Sequence, residues 1–209
     1  MEDVFTDFYA RNRWGSPESR SGKGSTLVYT QRLRRELPVL LDDLGVRTLV
    51  DVPCGDFHWM SRVIPLAREL RAYIGGDIVR DLVEQNRARN RAGNVTFEHL
   101  DITRDSIPPG DLLLCRDCLF HFPYADILRA LENFLVSQAP WLLTSTHPRT
   151  TQNQQVRVGG FFELNLEIPP WNLPPPAAAI DDWVPGFPER HLGLWHRVDI
   201  ARAVREVRW

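Results

Sequence analysis

No run of about 18 uncharged apolar residues occurs in the 209-residue chain, so no membrane-spanning helix is expected. The opening residues, MEDVFTDF, are acidic and lack an apolar run of signal length, which argues for a soluble, cytoplasmic protein. Charge of one sign is missing too: 25 basic and 27 acidic residues leave a net charge of −2. Bulk electrostatics therefore offers no hold on a polyanion, and no nucleic-acid or membrane partner is expected. Cysteine is scarce and odd in number. Cys115 and Cys118 sit inside apolar runs and read as buried free thiols, which suits a reducing compartment. They form a C-x-x-C, but neither the second ligand pair of a zinc site nor the helix start of a redox motif accompanies it. Glycine is sparse where a dinucleotide site would need it. The turn after the first predicted strand has Gly55 followed by Asp56, Phe57 and His58 instead of G-x-G-x-x-G, which counts against a nicotinamide-dependent oxidoreductase.

What is present is an alternation of strands and helices. Leu27 to Leu44 carries leucines at helical spacing and stops at Gly45. Thr48 to Val52 reads as a buried strand, His58 to Leu70 as helix-like with Pro65 as an interruption, and Tyr73 to Asp77 as a second strand. Val79 to Ala92 is a predicted helix, Val95 to Leu100 and Asp111 to Cys115 are strands, Ala125 to Ser137 is a helix and Trp141 to Ser145 a strand. LGLWHRV, from Leu192, gives the last strand. The pattern predicts one α/β domain with a doubly wound, mainly parallel sheet.

Two segments break the alternation. Residues 11–26, rich in Ser, Gly and Arg, read as a mobile loop. Residues 148–190 hold NLEIPPWNLPPP, whose proline density excludes helix or central strand, and their aromatics suggest a lid that packs. The chain thus divides into a helical and loop cap (1–44), a ligand-binding core (45–147), a substrate lid (148–190) and a C-terminal strand and helix (191–209).

In open α/β sheets ligands bind beyond the carboxyl ends of the strands. Acids stand at three such ends: Asp51, Asp77 and Asp101, the last followed by Ile102. Singly each is an ordinary turn acid. In series they suit a ligand that bears hydroxyls, an amine and a positive charge, because an ionised carboxylate only accepts.

LVDVPCGDF, YIGGDI, HLDIT and DLLLCRDCLFHF resemble, in order and spacing, four motifs of class I S-adenosylmethionine-dependent methyltransferases, over about residues 45–150. The first motif departs from the family by keeping only Gly55, with Pro53 and Cys54 in place of earlier positions. The resemblance implies a seven-stranded Rossmann-like methyltransferase sheet and S-adenosylmethionine as cofactor. It places Asp51, Cys54, Gly55 and Asp56 around the methionine moiety, Asp77 with Ile78 at the ribose and Asp101 with Ile102 at the adenine, and adds Arg20, Ser21 and Arg116 to the cofactor site. WGSPESRSGKGST, PCGDFHWM, NLEIPP and LGLW are similar to a smaller group that includes sugar O-methyltransferases of methylmannose polysaccharide assembly. A carbohydrate acceptor follows from that likeness, with polysaccharide biosynthesis as the setting and a homodimer left open.

A sugar hydroxyl has a high pKa and needs a general base or a metal to become a nucleophile. His121 and His147 follow the fourth and fifth strands and are the candidate bases. Asp117 would orient one of them or hold a divalent cation such as Mg2+. A binding module that keeps the cofactor without catalysis is the other alternative, and the two histidines argue against it.

Overall fold

The computed structural model describes residues 1–207, and its first element is helix α1, Glu2–Ala10. Helix α2, Gln31–Asp43, precedes strand β1, Thr48–Asp51, and β2, Ala72–Asp77, is followed by α3, Arg80–Arg89. Strands β3, Val95–His99, and β4, Leu112–Cys115, lead to α4, Tyr124–Ser137. Then come β5, Trp141–Thr146, β6, Ala178–Asp181, β7, His191–His196, and α5, Arg197–Glu206.

The seven strands form one sheet in the order β3-β2-β1-β4-β5-β7-β6, parallel except for β7, which runs antiparallel to β5 and β6. Its strands sort their side chains by the period of two. In β4, Leu112 and Leu114 join a core with Leu33, Leu37 and Leu41 of α2 and Val83 of α3, while Leu113 and Cys115 join the opposite core with Ile127 and Phe134 of α4 and Ile200 of α5. Both faces are therefore covered, as a parallel sheet requires. Strand order reverses between β1 and β4, and the ends of β1, β2 and β4 open on one crevice.

Three boundaries differ from the sequence expectation. Helix α2 starts at Gln31 and not at Leu27, because the hydroxyls of Thr26 and Thr30 bond to nearby backbone and hold a turn there. Residues 58–70 make only two single 3₁₀ turns, Met60–Arg62 and Ile64–Leu66, since Pro65 removes a ladder donor. Residues 148–190 are not outside the sheet: they supply its edge strand β6 and bury Leu164, Leu166, Trp171 and Leu173 in the core. Proline density excluded a central strand there, but an edge strand beginning two residues after Pro176 is compatible with it.

Candidate active site

A cavity of about 360 Å3 lies at the ends of β1, β2 and β4, floored by the turn from Val52 to Asp56. Gly55 has φ +55°, and a Cβ there would stand 2.3 Å from the Ser21 hydroxyl, so a side chain would be strained and would have to displace Ser21. Asp56 fastens the loop of residues 19–21 onto that turn. Its carboxylate accepts from the Ser19 hydroxyl (3.0 and 2.9 Å), the Arg20 backbone N–H (2.8 Å) and the Ser21 hydroxyl (3.3 Å), and its own N–H donates to Ser21 Oγ (2.9 Å). The S-R-S-G sequence and the G-D-F turn are thus two halves of one lock. Helix α1 closes another side with Met1, Phe5 and Tyr9, anchored where Glu2 pairs with Arg80 and His99.

The strand-end acids converge here. Asp77 accepts from the N–H groups of Gly55 and Val79, both at 3.0 Å, and burial pushes its carboxyl up to about 6 against those two donors. Asp51 accepts from the Tyr73 hydroxyl at 2.7 Å, and burial pushes it up to about 7. Asp101 keeps one oxygen on Thr103, at 2.9 Å to its N–H and 2.7 Å to its hydroxyl, while the other faces Arg104 only at 4.0 Å. Cys54, Ile78, Ile102, Ser21, Arg116, Asp117 and His121 also line the cavity. Arg20 does not; it lines a second cleft.

On the far wall four charges form a buried knot. Asp182, with a side chain 0% exposed, takes Arg116 through Nε (2.8 Å) and Nη2 (2.9 Å) and Arg190 through Nε (3.2 Å) and Nη2 (2.9 Å). Asp117, 26% exposed to the cavity, pairs with Arg190 at 2.8 Å and Arg116 at 3.3 Å. Burial alone would raise the Asp117 carboxyl, but Arg116 and then Arg190 outweigh it and hold it below its usual range. Both arginines lie over aromatic rings, Arg116 over Trp59 at 5.3 Å and Arg190 over Tyr29 at 5.4 Å. Asp182, Arg190 and Tyr29 were not expected from the sequence. The only hints were paired acids and an arginine inside the proline-rich stretch.

The metal expectation does not fit this donor set. Each Asp117 oxygen faces a guanidinium, and among the described residues no three His, Cys, Asp or Glu side chains are arranged to hold a metal ion.

The two histidines separate. His121 lines the cavity, and its Nδ1 donates to the Gly160 carbonyl at 2.6 Å, which fixes the tautomer and leaves the Nε2 lone pair as the acceptor. Burial lowers its pKa, against the Gly160 bond and the Asp117 charge. His147 is buried, outside the cavity lining, with Nδ1 3.3 Å from the Leu164 carbonyl and its ring against Phe120 and Phe161. Residues 160–166 fold over the end of β5, and the Leu164 carbonyl accepts from the His147 backbone N–H at 2.7 Å.

His147 carries a pH prediction. Burial lowers its pKa from 6.5 to about 4, so the stability it allows is present above pH 6.5 and is lost as pH falls toward 4. The expected loss is roughly 1.4 kcal/mol per pH unit across that window. Urea midpoints of the wild type and His147→Gln at pH 7, 6 and 5 check it, and parallel pH dependence in the two proteins would contradict it.

No protein-family model matches the chain, and no curated protein sequence does. Solved structures do. Magnesium protoporphyrin IX methyltransferase of Synechocystis PCC 6803 with bound S-adenosylhomocysteine matches at TM-score 0.65 and 15% identity over 94% of this chain and 100% of that one. The N-methyltransferase NodS of Bradyrhizobium japonicum WM9, also with S-adenosylhomocysteine, matches at 0.55 and 14% over 68% and 72%. Human N-acetylserotonin methyltransferase, in complex with S-adenosylmethionine, matches at 0.50 and 16% identity over 69% of this chain, which spans 41% of that protein. At these identities the likeness establishes the fold: a Rossmann-like methyltransferase sheet in a single α/β domain.

Proposed function

We propose that the chain is an S-adenosylmethionine-dependent O-methyltransferase acting on a small acceptor, with a carbohydrate hydroxyl as the target. The observation that carries this reading is the shared cavity, in which Asp77 ends β2 and His121 ends the 3₁₀ turn that follows β4. The cavity residues fit the cofactor. An ionised carboxylate offers about four lone-pair positions, so Asp77, with two backbone donors, keeps acceptor capacity for ribose hydroxyls. The loosely engaged Asp101 oxygen suits an exocyclic amine, and Asp51 lines the cavity where the cofactor's cation would favour the ionised form of its carboxyl. S-adenosylmethionine supplies, when bound, an electrophilic methyl on a cationic sulfur. His121 Nε2 takes the proton of the acceptor hydroxyl, while Phe120, Phe161 and Phe187 wall the cavity against water. With Asp117 held by two arginines, the acceptor oxygen is activated by the imidazole without a metal step.

The carbohydrate assignment rests on the WGSPESRSGKGST, NLEIPP and LGLW likeness. Transfer of labelled methyl from S-adenosylmethionine to a panel of glycosides, amines and carboxylates tests it. Label on a glycoside oxygen is expected, and label confined to amines or carboxylates would overturn the acceptor class.

Asp77→Ala should weaken S-adenosylhomocysteine binding about ten- to a hundred-fold, because losing a buried charged acceptor costs roughly 1.5–3 kcal/mol. Wild-type affinity should fall as pH drops below about 6, where Asp77 takes up a proton. Calorimetry at pH 7.5 and 5.5 checks both, and an affinity unchanged by variant or pH would remove the ribose role.

A further inference from the structure

Asp117 differs from the other members of the buried knot. The side chains of Arg116, Asp182 and Arg190 are at most 9% exposed, whereas that of Asp117 is 26% exposed and lines the cavity. Charge balance alone gives no reason for that opening. Its backbone is unusual too: Asp117 has φ +54°, in the left-handed region that side chains seldom adopt, and its N–H donates to the Ser145 hydroxyl at 3.0 Å. Such strain persists where the surroundings hold it, and it gathers at functional sites.

The carboxylate keeps room for another donor. Of its about four lone-pair positions, Arg190 Nη1 takes one on Oδ1 at 2.8 Å, the Ser145 hydroxyl approaches the same oxygen at 3.4 Å, and Arg116 Nη1 takes one on Oδ2 at 3.3 Å. One position on Oδ2 is left. Gly24 borders that oxygen, and although its φ is not in the left-handed region, a Cβ there would stand 2.9 Å from Oδ2. Glycine at 24 leaves the oxygen uncovered.

The groups around it suit a sugar ring. Asp117 and His121 act on each other electrostatically, and both border Phe120, whose ring lies 4.6 Å from the His121 ring and 5.8 Å from the Arg190 guanidinium that holds Asp117. Phe161, 55% exposed, meets Phe120 edge-on at 5.5 Å and stands 6.2 Å from the His121 ring. A base, an open carboxylate and an exposed aromatic face match a pyranose, which has an apolar C–H face and a polar edge of hydroxyls.

We propose that Asp117 selects the substrate: His121 takes the proton of the hydroxyl to be methylated, and Asp117 Oδ2 accepts a hydrogen bond from a second hydroxyl of the same ring, whose C–H face rests on Phe161. This role rests on the O-methyltransferase reading proposed for the cavity. It makes the preferred substrate a polyhydroxylated ring, because an alcohol with one hydroxyl gains nothing from Asp117.

Initial rates of the full chain with labelled S-adenosylmethionine test it on D-mannose, D-glucose and the monodeoxy analogues of each. Among analogues of the better sugar, the one lacking the methylated hydroxyl takes no label, and another, lacking the hydroxyl on Asp117, should lose about tenfold or more in kcat/KM, as expected for a hydrogen bond to a charged group. Asp117→Asn tolerates the left-handed backbone and keeps the shape without the charge. It should lower kcat/KM for the parent sugar and shrink that one penalty to about threefold or less, the range of a neutral hydrogen bond. A purely structural Asp117 would lower parent and analogue alike, and a penalty kept at its wild-type value in this variant overturns the proposal. Should Asp117→Asn fail to fold, as judged by S-adenosylhomocysteine binding, Gly24→Ala decides. Covering Oδ2 should shrink the same penalty with the carboxylate intact, and an unaltered penalty counts against the proposal. A wild type that methylates a sugar without loss at any second position overturns this role alone, whereas no label on either sugar overturns the carbohydrate reading and this role with it.

Discussion

His121→Ala should lower methyl-transfer turnover by about 10²–10⁴, the range for loss of a general base, while S-adenosylhomocysteine binds as it does to the wild type. The expectation follows from the imidazole's bonds. Gly160 takes the Nδ1 proton at 2.6 Å, so the cavity meets an unprotonated Nε2, and burial keeps the ring neutral to lower pH than an ordinary histidine. The acid limb of kcat/KM should accordingly fall below pH 6.5, the ordinary value for this side chain, because protonation removes the base. Steady-state kinetics from pH 5 to 9 on wild type and His121→Ala, with calorimetry of S-adenosylhomocysteine on both, provides the check. A variant at full turnover would leave alignment of acceptor and methyl as the whole of the catalysis.

Asp182→Ala should destabilise the fold by roughly 3–5 kcal/mol, a large part of the 5–15 kcal/mol that holds a domain together. The Asp182 side chain is completely buried and, among the described residues, is the only carboxylate that grips Arg116 and Arg190 through two nitrogens each. Its loss turns a neutral set of two arginines and two aspartates into one with an uncompensated buried cation, which Asp117 alone cannot balance. The damage spreads to the active site, because the same arginines fix Asp117 and the Gly24 carbonyl, the latter at 2.7 Å from Arg116. Urea denaturation measures the loss. Replacing Arg190 by Met in the same protein should return part of it by removing the orphaned charge, and a single variant with the wild-type midpoint would show that the knot carries little stability.

The parts of the molecule legible in the sequence are those that local chemistry dictates. Strands β1, β2, β4 and β5 are short apolar runs between turn residues, and a buried parallel strand has no other way to look. The acids Asp51, Asp77 and Asp101 were readable as a set because the first two end such runs and the third stands two residues past β3. What escaped depends on distant partners. Arg116 and Asp182 are 66 residues apart, and nothing local marks either as a neighbour of the other. His147 stands at a strand end, as its position suggested, but whether it faces the cavity is decided by residues 160–166, which fold over it. Strand β6 was hidden by its prolines, since the rule that bars proline from a central strand says nothing against an edge strand that starts just after them. Helix α1 is amphipathic over only nine residues and buries none of them fully, so its role as a cavity wall emerges only once Phe5 meets Phe122.

The central claim is that the cavity at the strand ends receives S-adenosylmethionine and not a nicotinamide dinucleotide. Parallel calorimetric titrations of the purified chain with S-adenosylhomocysteine and with NAD test it most directly. The account predicts one micromolar-range site for S-adenosylhomocysteine and no binding of NAD, because the turn after β1 has one glycine, Gly55, followed by Asp56, whose carboxylate lines the cavity where a pyrophosphate would need bare backbone. Binding of NAD without binding of S-adenosylhomocysteine would contradict it.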